Sequence, residues 1–124
     1  MKISFDIDGV MTVYPKELST FMAIVKTSGH EVGLATGRAE NEVKGSFPKE
    51  FLDNLDFLIT CDGPEEELKY SDKPARSDMQ KVYNWKVPRL NEEGVQIHYD
   101  DYADVMMTHP DIKFLAVRIR QPGL

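Results

Sequence analysis

Apolar and polar positions along this chain alternate between two kinds of segment. Short apolar runs rich in β-branched residues predict strands, and segments with apolar residues three or four positions apart predict helices. Five strands are predicted, over residues 2–8, 30–37, 51–63, 92–101 and 111–119. The segments between them predict helices over 15–29, 38–47 and 73–87, and a short helix or turn over 102–110. Strands and helices therefore alternate along the chain.

The two longer helical segments carry recognisable ends and inner faces. Pro15 suits the first turn of a helix and Gly29 suits the residue after its end. Pro74 similarly opens the second segment. The predicted inner face of that second helix consists of Met79, Val82 and Tyr83.

Alternating strands and helices predict an α/β fold in which a mostly parallel sheet is covered on both faces. We expect a Rossmann-like three-layer sandwich with five central strands. The chain has 124 residues, which is the size of one ordinary domain, so residues 1–124 are predicted to form a single domain.

Polar side chains follow three of the predicted strands at the point where each strand ends. They are Asp6 and Asp8 after the first strand, Thr36 after the second, and Asp100 and Asp101 after the fourth. Ligands bind to open parallel sheets at the carboxyl ends of the strands. Four carboxylates from distant parts of the sequence are therefore expected to meet at one edge of the sheet.

Such a cluster needs a compensating charge. Two like charges 4 Å apart repel by about 4 kcal/mol at an effective dielectric near 20. Hard oxygen ligands suit Mg²⁺, which binds a few carboxylates together with substrate phosphate oxygens. Carboxylates also act as nucleophiles in phosphoryl transfer, and a second carboxylate can handle the proton. An ordinary turn remains an alternative interpretation of the stretch Asp6–Gly9. An EF-hand calcium loop is disfavoured, because Val10 and Met11 stand where it needs an oxygen ligand and a glycine.

Composition narrows the class of protein further. Apolar residues make up 41% and charged residues 29%, as in globular proteins that are soluble in water. The net charge of −6 disfavours general nucleic-acid binding, which needs cationic side chains. The lone Cys61 fits a reducing compartment. With neither a signal peptide nor a membrane-length apolar run, we expect a cytoplasmic protein without a membrane partner.

Four motifs resemble those of the haloacid dehalogenase (HAD) superfamily, in the order found in that family. "DIDGV" resembles the first motif and "LATGR" the second. "DKPARSDMQKVYNW" is similar to the third, in which a lysine enters the helix before the fourth strand, and "VQIHYDDYAD" is similar to the acidic fourth. The match spans roughly residues 2–105. Each motif alone is weakly specific, whereas the ordered set is strong.

The resemblance implies roles for individual residues. Asp6 would be the nucleophile and a metal ligand, and Asp8 the general acid and base, with its backbone carbonyl also on Mg²⁺. Thr36 would bind the phosphate and Gly37 would let the backbone turn. Lys73 would balance the charge of nucleophile and phosphate, with Lys69 as the alternative. Asp100 would complete the metal shell directly or through water, and either Asp101 or Asp104 would be the second acid of the fourth motif.

The resemblance also implies an activity, which is Mg²⁺-dependent hydrolysis of phosphomonoesters through an aspartyl-phosphate. The spacing between the motifs leaves no room for the cap domain that many members carry. The expected partner is a phosphorylated small molecule or macromolecule, and an open site leaves room for a second subunit to cover it. Two alternatives stay open: a catalytically weak HAD-like module that binds phosphate, metal or another protein, and a phosphotransferase that uses the same site.

Overall fold

The centre of the molecule is a sheet of five parallel strands. The computed structural model describes residues 1–61 and 76–120. The strands are β1 (Lys2–Phe5), β2 (Glu31–Ala35), β3 (Phe57–Ile59), β4 (Ile97–Asp100) and β5 (Leu115–Arg118). Their spatial order is β3-β2-β1-β4-β5, and every neighbouring pair is parallel. The predicted Rossmann-like α/β fold is confirmed, and its sheet is entirely parallel.

Helices cover both faces of the sheet. They are α1 (Pro15–Thr27), α2 (Glu40–Ser46), α3 (Lys49–Asp53), α4 (Arg76–Glu93) and α5 (Ala103–Met106). Side chains of α1, α2 and α3 share one buried cluster with Phe5 and Leu34 of the central strands. Side chains of α4 and α5 form a second cluster with Ala35. Because Leu34 and Ala35 are consecutive and point to opposite faces, the two clusters lie on opposite sides of the sheet.

The predicted strand over 51–63 is wrong in its first half. The structure has α3 at Lys49–Asp53, and the strand is limited to Phe57–Ile59. Pro48 immediately precedes α3 in an extended conformation, and Phe51 and Leu52 pack from this helix against the core. The apolar residues that resembled the start of a strand therefore belong to a helix.

Two other strands have different boundaries in the structure than the sequence predicts. Strand β1 ends at Phe5, so Asp6 and Asp8 lie beyond it. The predicted strand over 92–101 begins only at Ile97, because α4 continues through Pro88 to Glu93. Gly94 follows α4 with φ = 79°, the left-handed conformation that ends many helices.

The strand order changes direction at β1. From β1 the chain proceeds through the turn Ile7–Met11 and α1 to β2 on one side, and it later returns to β4 on the other side of β1. Ligands of open α/β sheets bind where the strand order reverses in this way. Segment 62–73, which is too short for a large cap, lies outside the described residues. None of the described helices is long and apolar enough to cross a membrane.

Candidate functional site

Three carboxylates meet at the carboxyl ends of β1 and β4. Asp6 directly follows β1, Asp100 is the last residue of β4, and Asp101 follows it. Each offers an oxygen, and these oxygens all lie within 4.8 Å of one another. Asp6 and Asp100 are buried and Asp101 is partly buried. Of the four carboxylates expected to meet, these three do so, whereas Asp8 pairs with Arg38 instead.

The turn Ile7–Met11 shapes the space beside this cluster. The Asp6 carboxylate accepts a hydrogen bond from the backbone N–H of Ile7 at 2.8 Å. Gly9 has φ = 77° and lies so close to Asp101 that an added Cβ would overlap its carboxylate. Only glycine meets both conditions at low cost. The glycine of "DIDGV" thus lets the chain turn away from β1 while Asp101 comes close to it.

A buried lysine, Lys86, lies between two of the carboxylates. Its Nζ is 3.2 Å from Asp6 Oδ1 and 3.2 Å from Asp100 Oδ2. The side chains of Lys86, Asp6 and Asp100 are 1%, 7% and 0% exposed. A buried charge is stable only when it is paired in this way. Lys86 occupies the central cationic position of the cluster.

Sequence reasoning missed Lys86. The predicted lysine, Lys73, and its alternative, Lys69, both lie outside the described residues. A signal was present, because the inner face that includes Val82 and Tyr83 continues at helical spacing to Lys86 and then to Leu90. A lysine on the buried face of a helix needs an acidic partner, and that requirement points to the strand ends.

Asp100 accepts four hydrogen bonds. Its Oδ1 accepts hydrogen bonds from the Tyr83 hydroxyl at 2.6 Å and from the Tyr102 backbone N–H at 3.0 Å. Its Oδ2 receives Lys86 Nζ at 3.2 Å and His98 Nε2 at 3.0 Å. A carboxylate has about four lone-pair sites. Protein donors therefore already occupy the acceptor capacity of Asp100.

The pKa values follow from burial and from these contacts. Burial opposes the charge of Asp100, but Lys86, His98 and Tyr83 outweigh it and hold the pKa of Asp100 well below its usual range. Burial also opposes the charge of Lys86, whose pKa is nevertheless raised by Asp6 and Asp100. Burial lowers the pKa of His98 to about 4, with Lys86 adding to the effect. The imidazole is therefore neutral at pH 7.

The other two carboxylates shift in the opposite direction. Burial raises the pKa of Asp6 well above its usual range; Lys86 opposes this rise, whereas Asp100 and Asp101 add to it. Burial and the neighbouring Asp100 raise the pKa of Asp101 to about 7. If all three carboxylates were ionised, one ammonium would leave surplus negative charge, and this surplus together with burial raises the two pKa values. These oxygen donors and this charge surplus fit Mg²⁺.

Asp8 and Arg38 form a separate ion pair beside the cluster. Arg38 Nε donates to Asp8 Oδ2 at 2.9 Å and Nη2 to Oδ1 at 2.5 Å. The side chains are 27% and 40% exposed for Arg38 and Asp8. Arg38 is therefore ion-paired in this structure. Asp8 thus follows Asp6 in sequence but faces a different partner.

The remaining predicted residues lie around the same edge. Thr36 is buried at the end of β2, and its Oγ1 accepts the backbone N–H of Arg38 at 3.1 Å, which forms the turn that includes Gly37. Asp104 is exposed in the first turn of α5, and the cluster includes Asp101 instead. Tyr99, which precedes Asp100 in β4, stacks on Phe5 with ring centroids 4.8 Å apart.

The described fold and site define an α/β protein with a carboxylate–lysine cluster at the carboxyl edge of a parallel sheet. Comparison of the chain with protein-family models, with curated proteins and with solved structures finds no match.

Proposed function

We propose that this chain is a Mg²⁺-dependent phosphomonoester hydrolase of the HAD type, acting through an aspartyl-phosphate on Asp6. The observation that carries the proposal is the buried Asp6 at the end of β1, paired with Lys86 and clustered with Asp100 and Asp101. Those contacts supply a nucleophile, a fixed cation and oxygen donors at one strand edge. The ordered motifs of the sequence support the same reading.

Asp6 would attack the phosphorus of the substrate. An oxygen–phosphorus bond forms on Asp6 while the ester bond breaks, and the departing oxygen takes a proton from protonated Asp8. Asp8 then accepts a proton from water, whose oxygen attacks the phosphorus of the aspartyl-phosphate. Inorganic phosphate leaves and the Asp6 carboxylate is restored. Lys86 and the Thr36 hydroxyl would balance and bind the phosphate oxygens during both steps.

Asp8 must leave Arg38 and take up a proton from water before it can act on the leaving group. The pair is partly exposed and makes two hydrogen bonds, so its exchange for water costs about 1 kcal/mol, which is less than the exchange of a buried pair would cost. Lys86 cannot exchange its partners in the same way because it is buried. The proposal therefore assigns a fixed position to the nucleophile and a mobile one to the acid and base.

Asp6 and Asp101 would hold Mg²⁺ directly, together with the backbone carbonyl of Asp8 and water. Asp100 would not bind the ion directly, because its oxygens already accept four hydrogen bonds, and it would contribute its negative charge beside the ion. When bound, Mg²⁺ supplies screening between the charges of Asp6 and the phosphate.

The experiment that tests the proposal is hydrolysis of p-nitrophenyl phosphate by the purified protein, with Mg²⁺ and then with EDTA. We expect metal-dependent release that is abolished in Asp6→Asn and retained in Asp111→Asn, a control at an exposed aspartate. Undiminished turnover by a folded Asp6→Asn protein would refute the mechanism. Analysis of products with an added acceptor alcohol distinguishes a hydrolase from a phosphotransferase.

Binding of BeF₃⁻ tests the site independently of the substrate. With Mg²⁺ present, BeF₃⁻ on a carboxylate imitates an aspartyl-phosphate, and we expect it to raise the melting temperature of the wild type but not of Asp6→Asn. A wild-type protein that neither releases nitrophenol nor responds to BeF₃⁻ would contradict the proposal and favour a binding module without a phosphoenzyme.

Three variants decide the assignments that the motifs left open. We expect Asp101→Asn to raise the Mg²⁺ concentration needed for half-maximal activity at least tenfold and Asp104→Asn to leave it within twofold. We also expect Lys73→Met to keep most of the activity, because Lys86 already pairs with Asp6. Loss of activity in Lys73→Met would instead show that Lys73 balances the charge of the nucleophile and the phosphate.

A further inference from the structure

A chain of buried polar contacts extends from the proposed nucleophile into the middle of the sheet. Ser4 Oγ lies 2.7 Å from His98 Nδ1, and His98 Nε2 lies 3.0 Å from Asp100 Oδ2. The same Oδ2 accepts from Lys86 Nζ, which also contacts Asp6. Ser4 and His98 are both 0% exposed. The proposed reaction assigns no task to either of them.

The backbone fixes the position of these residues. Ser4 of β1 and His98 of β4 are register partners in the parallel pairing. His98 and Asp100 are two residues apart, so alternation directs both to the face of β4 that α4 covers. Tyr83 and Lys86 reach Asp100 from α4. Asp100 is thereby held from its own strand, from the neighbouring strand through His98, and from the helix.

The contacts also define the tautomer of His98. Asp100 Oδ2 is an acceptor, so Nε2 must carry the hydrogen that lies between them. Nδ1 of the neutral ring is then an acceptor, and the Ser4 hydroxyl donates to it. Ser4 therefore holds the imidazole in the one form that can donate to Asp100.

We propose that Ser4 and His98 are positioning residues, which orient Asp100 so that it keeps Lys86 beside Asp6. This inference rests on the proposed function of Asp6 as the nucleophile. Without the donor on His98, Asp100 Oδ2 would lose one of the two donors described for it, and the carboxylate and the ammonium could turn away together. Partners of this kind, one step removed from the reacting groups, commonly change activity 10–100-fold.

Three variants separate positioning from simple filling of the core. His98→Gln keeps an N–H donor in about the place of Nε2, His98→Leu has none, and Ser4→Ala removes the hydroxyl but little volume. We expect His98→Leu to lower kcat 10–100-fold with KM for p-nitrophenyl phosphate within twofold, and His98→Gln to recover most of kcat. The kcat of Ser4→Ala should lie between the values of His98→Leu and His98→Gln. His109→Gln, at another buried histidine, is the control and should leave kcat unchanged.

A second measurement needs no turnover. The ¹⁵N resonance of the Lys86 ammonium, identified by its loss in Lys86→Met, should be observable in the wild type because the group is buried and exchanges slowly. We expect it to be retained in His98→Gln and shifted or broadened in His98→Leu and Ser4→Ala. The imidazole ¹⁵N shifts of His98 should report the tautomer protonated at Nε2, with His30 and His109 as references in the same spectrum.

The outcomes are distinguishable. A His98→Leu protein with wild-type kcat and an unchanged Lys86 resonance would overturn the inference, and so would a His98 ring protonated at Nδ1. A fall in kcat that only follows the folded fraction and that His98→Gln does not recover would assign a structural role instead. If the wild type neither hydrolyses p-nitrophenyl phosphate nor responds to BeF₃⁻, the proposed function fails, and the Lys86 resonance alone decides whether His98 and Ser4 position the lysine. If His98→Leu does not fold, Ser4→Ala decides by the same two measurements.

Discussion

The site has two ion pairs that differ in almost every physical respect. What we call the inner pair consists of the Lys86 ammonium and the two carboxylates that it contacts, Asp6 and Asp100. These side chains are at most 7% exposed. The outer pair joins Arg38 to Asp8, which is 40% exposed. Asp6 and Asp8 are only two residues apart, yet the turn after β1 directs one carboxylate into the protein and the other towards solvent. Distance along the chain therefore says little about the electrostatic environment here.

The difference shows that burial gives Asp6 and Asp8, two residues of the same type, different properties. A buried ion pair has lost its hydration, so removal of one partner leaves an uncompensated charge that is costly. An exposed pair exchanges its partner for water at almost no cost. The inner pair is suited to hold a group in one position, and the outer pair to release one.

The largest effect is expected from removal of the inner cation. We predict that Lys86→Met lowers the free energy of unfolding in metal-free buffer by about 3–5 kcal/mol, because Asp6 and Asp100 lose their buried partner. The control is Lys81→Met, an exposed lysine of the same helix, which should change it by less than about 0.5 kcal/mol. Urea unfolding at pH 7 measures both. Equal stabilities of the two variants would remove the distinction between the inner and outer pairs.

The second prediction concerns the pH dependence of the free energy of unfolding that results from His98, which donates to Asp100 of the inner pair. The pKa of buried His98 is about 4, against 6.5 in the unfolded chain, so the unfolded chain binds more protons between these values. The wild type should therefore lose about 3 kcal/mol from this group as the pH falls from 6.5 to 4.

The measurement is urea unfolding of the wild type and His98→Gln across that range. Their difference in stability should shrink as the pH falls, because only the wild type carries this histidine. A difference that stays constant from pH 7 to pH 4 would contradict a neutral buried His98.

The third prediction tests the turn that separates the two pairs. Gly9→Ala should cost about 2–3 kcal/mol, since the added Cβ meets both an unfavourable φ of 77° and the carboxylate of Asp101. Gly29→Ala is the matched control, with φ = 93° and no atom near the new Cβ, and should cost about 1 kcal/mol. Thermal unfolding compares them. Equal costs would show that Asp101 moves aside freely.

The smallest effect is expected at the outer pair. A double-mutant cycle with Asp8→Asn and Arg38→Gln should give a coupling energy of about 0.2–1 kcal/mol, which decreases in 1 M salt because exposed charges are screened. Urea unfolding of the four proteins provides the numbers. A coupling above about 2 kcal/mol would mean that the outer pair is as rigid as the inner one, and Asp8 would then be a poor candidate for a mobile acid and base.

Much of this arrangement could be predicted from the order of residue types. Apolar runs that end in Asp6, Thr36 and Asp100 indicated the strand ends, and parallel strands must bring those ends to one edge. The strand predicted over 51–63 was half wrong because Phe51 and Leu52 are equally compatible with a short helix, and periodicity does not separate such short apolar segments. The predicted Lys73 lies outside the described residues, and the sequence analysis did not consider Lys86.

The sequence by itself determined the alternation of strands and helices, the parallel sheet and the set of acidic residues at its carboxyl edge. These follow from periodicities and strand ends, which are local properties of the chain. The tertiary structure alone decided that Lys86 neutralises Asp6, that His98 and Ser4 hold Asp100, and that Asp8 faces Arg38. Pairing and burial depend on which residues of distant elements become neighbours, and the cost of removing charges from water exists only once the fold has enclosed them.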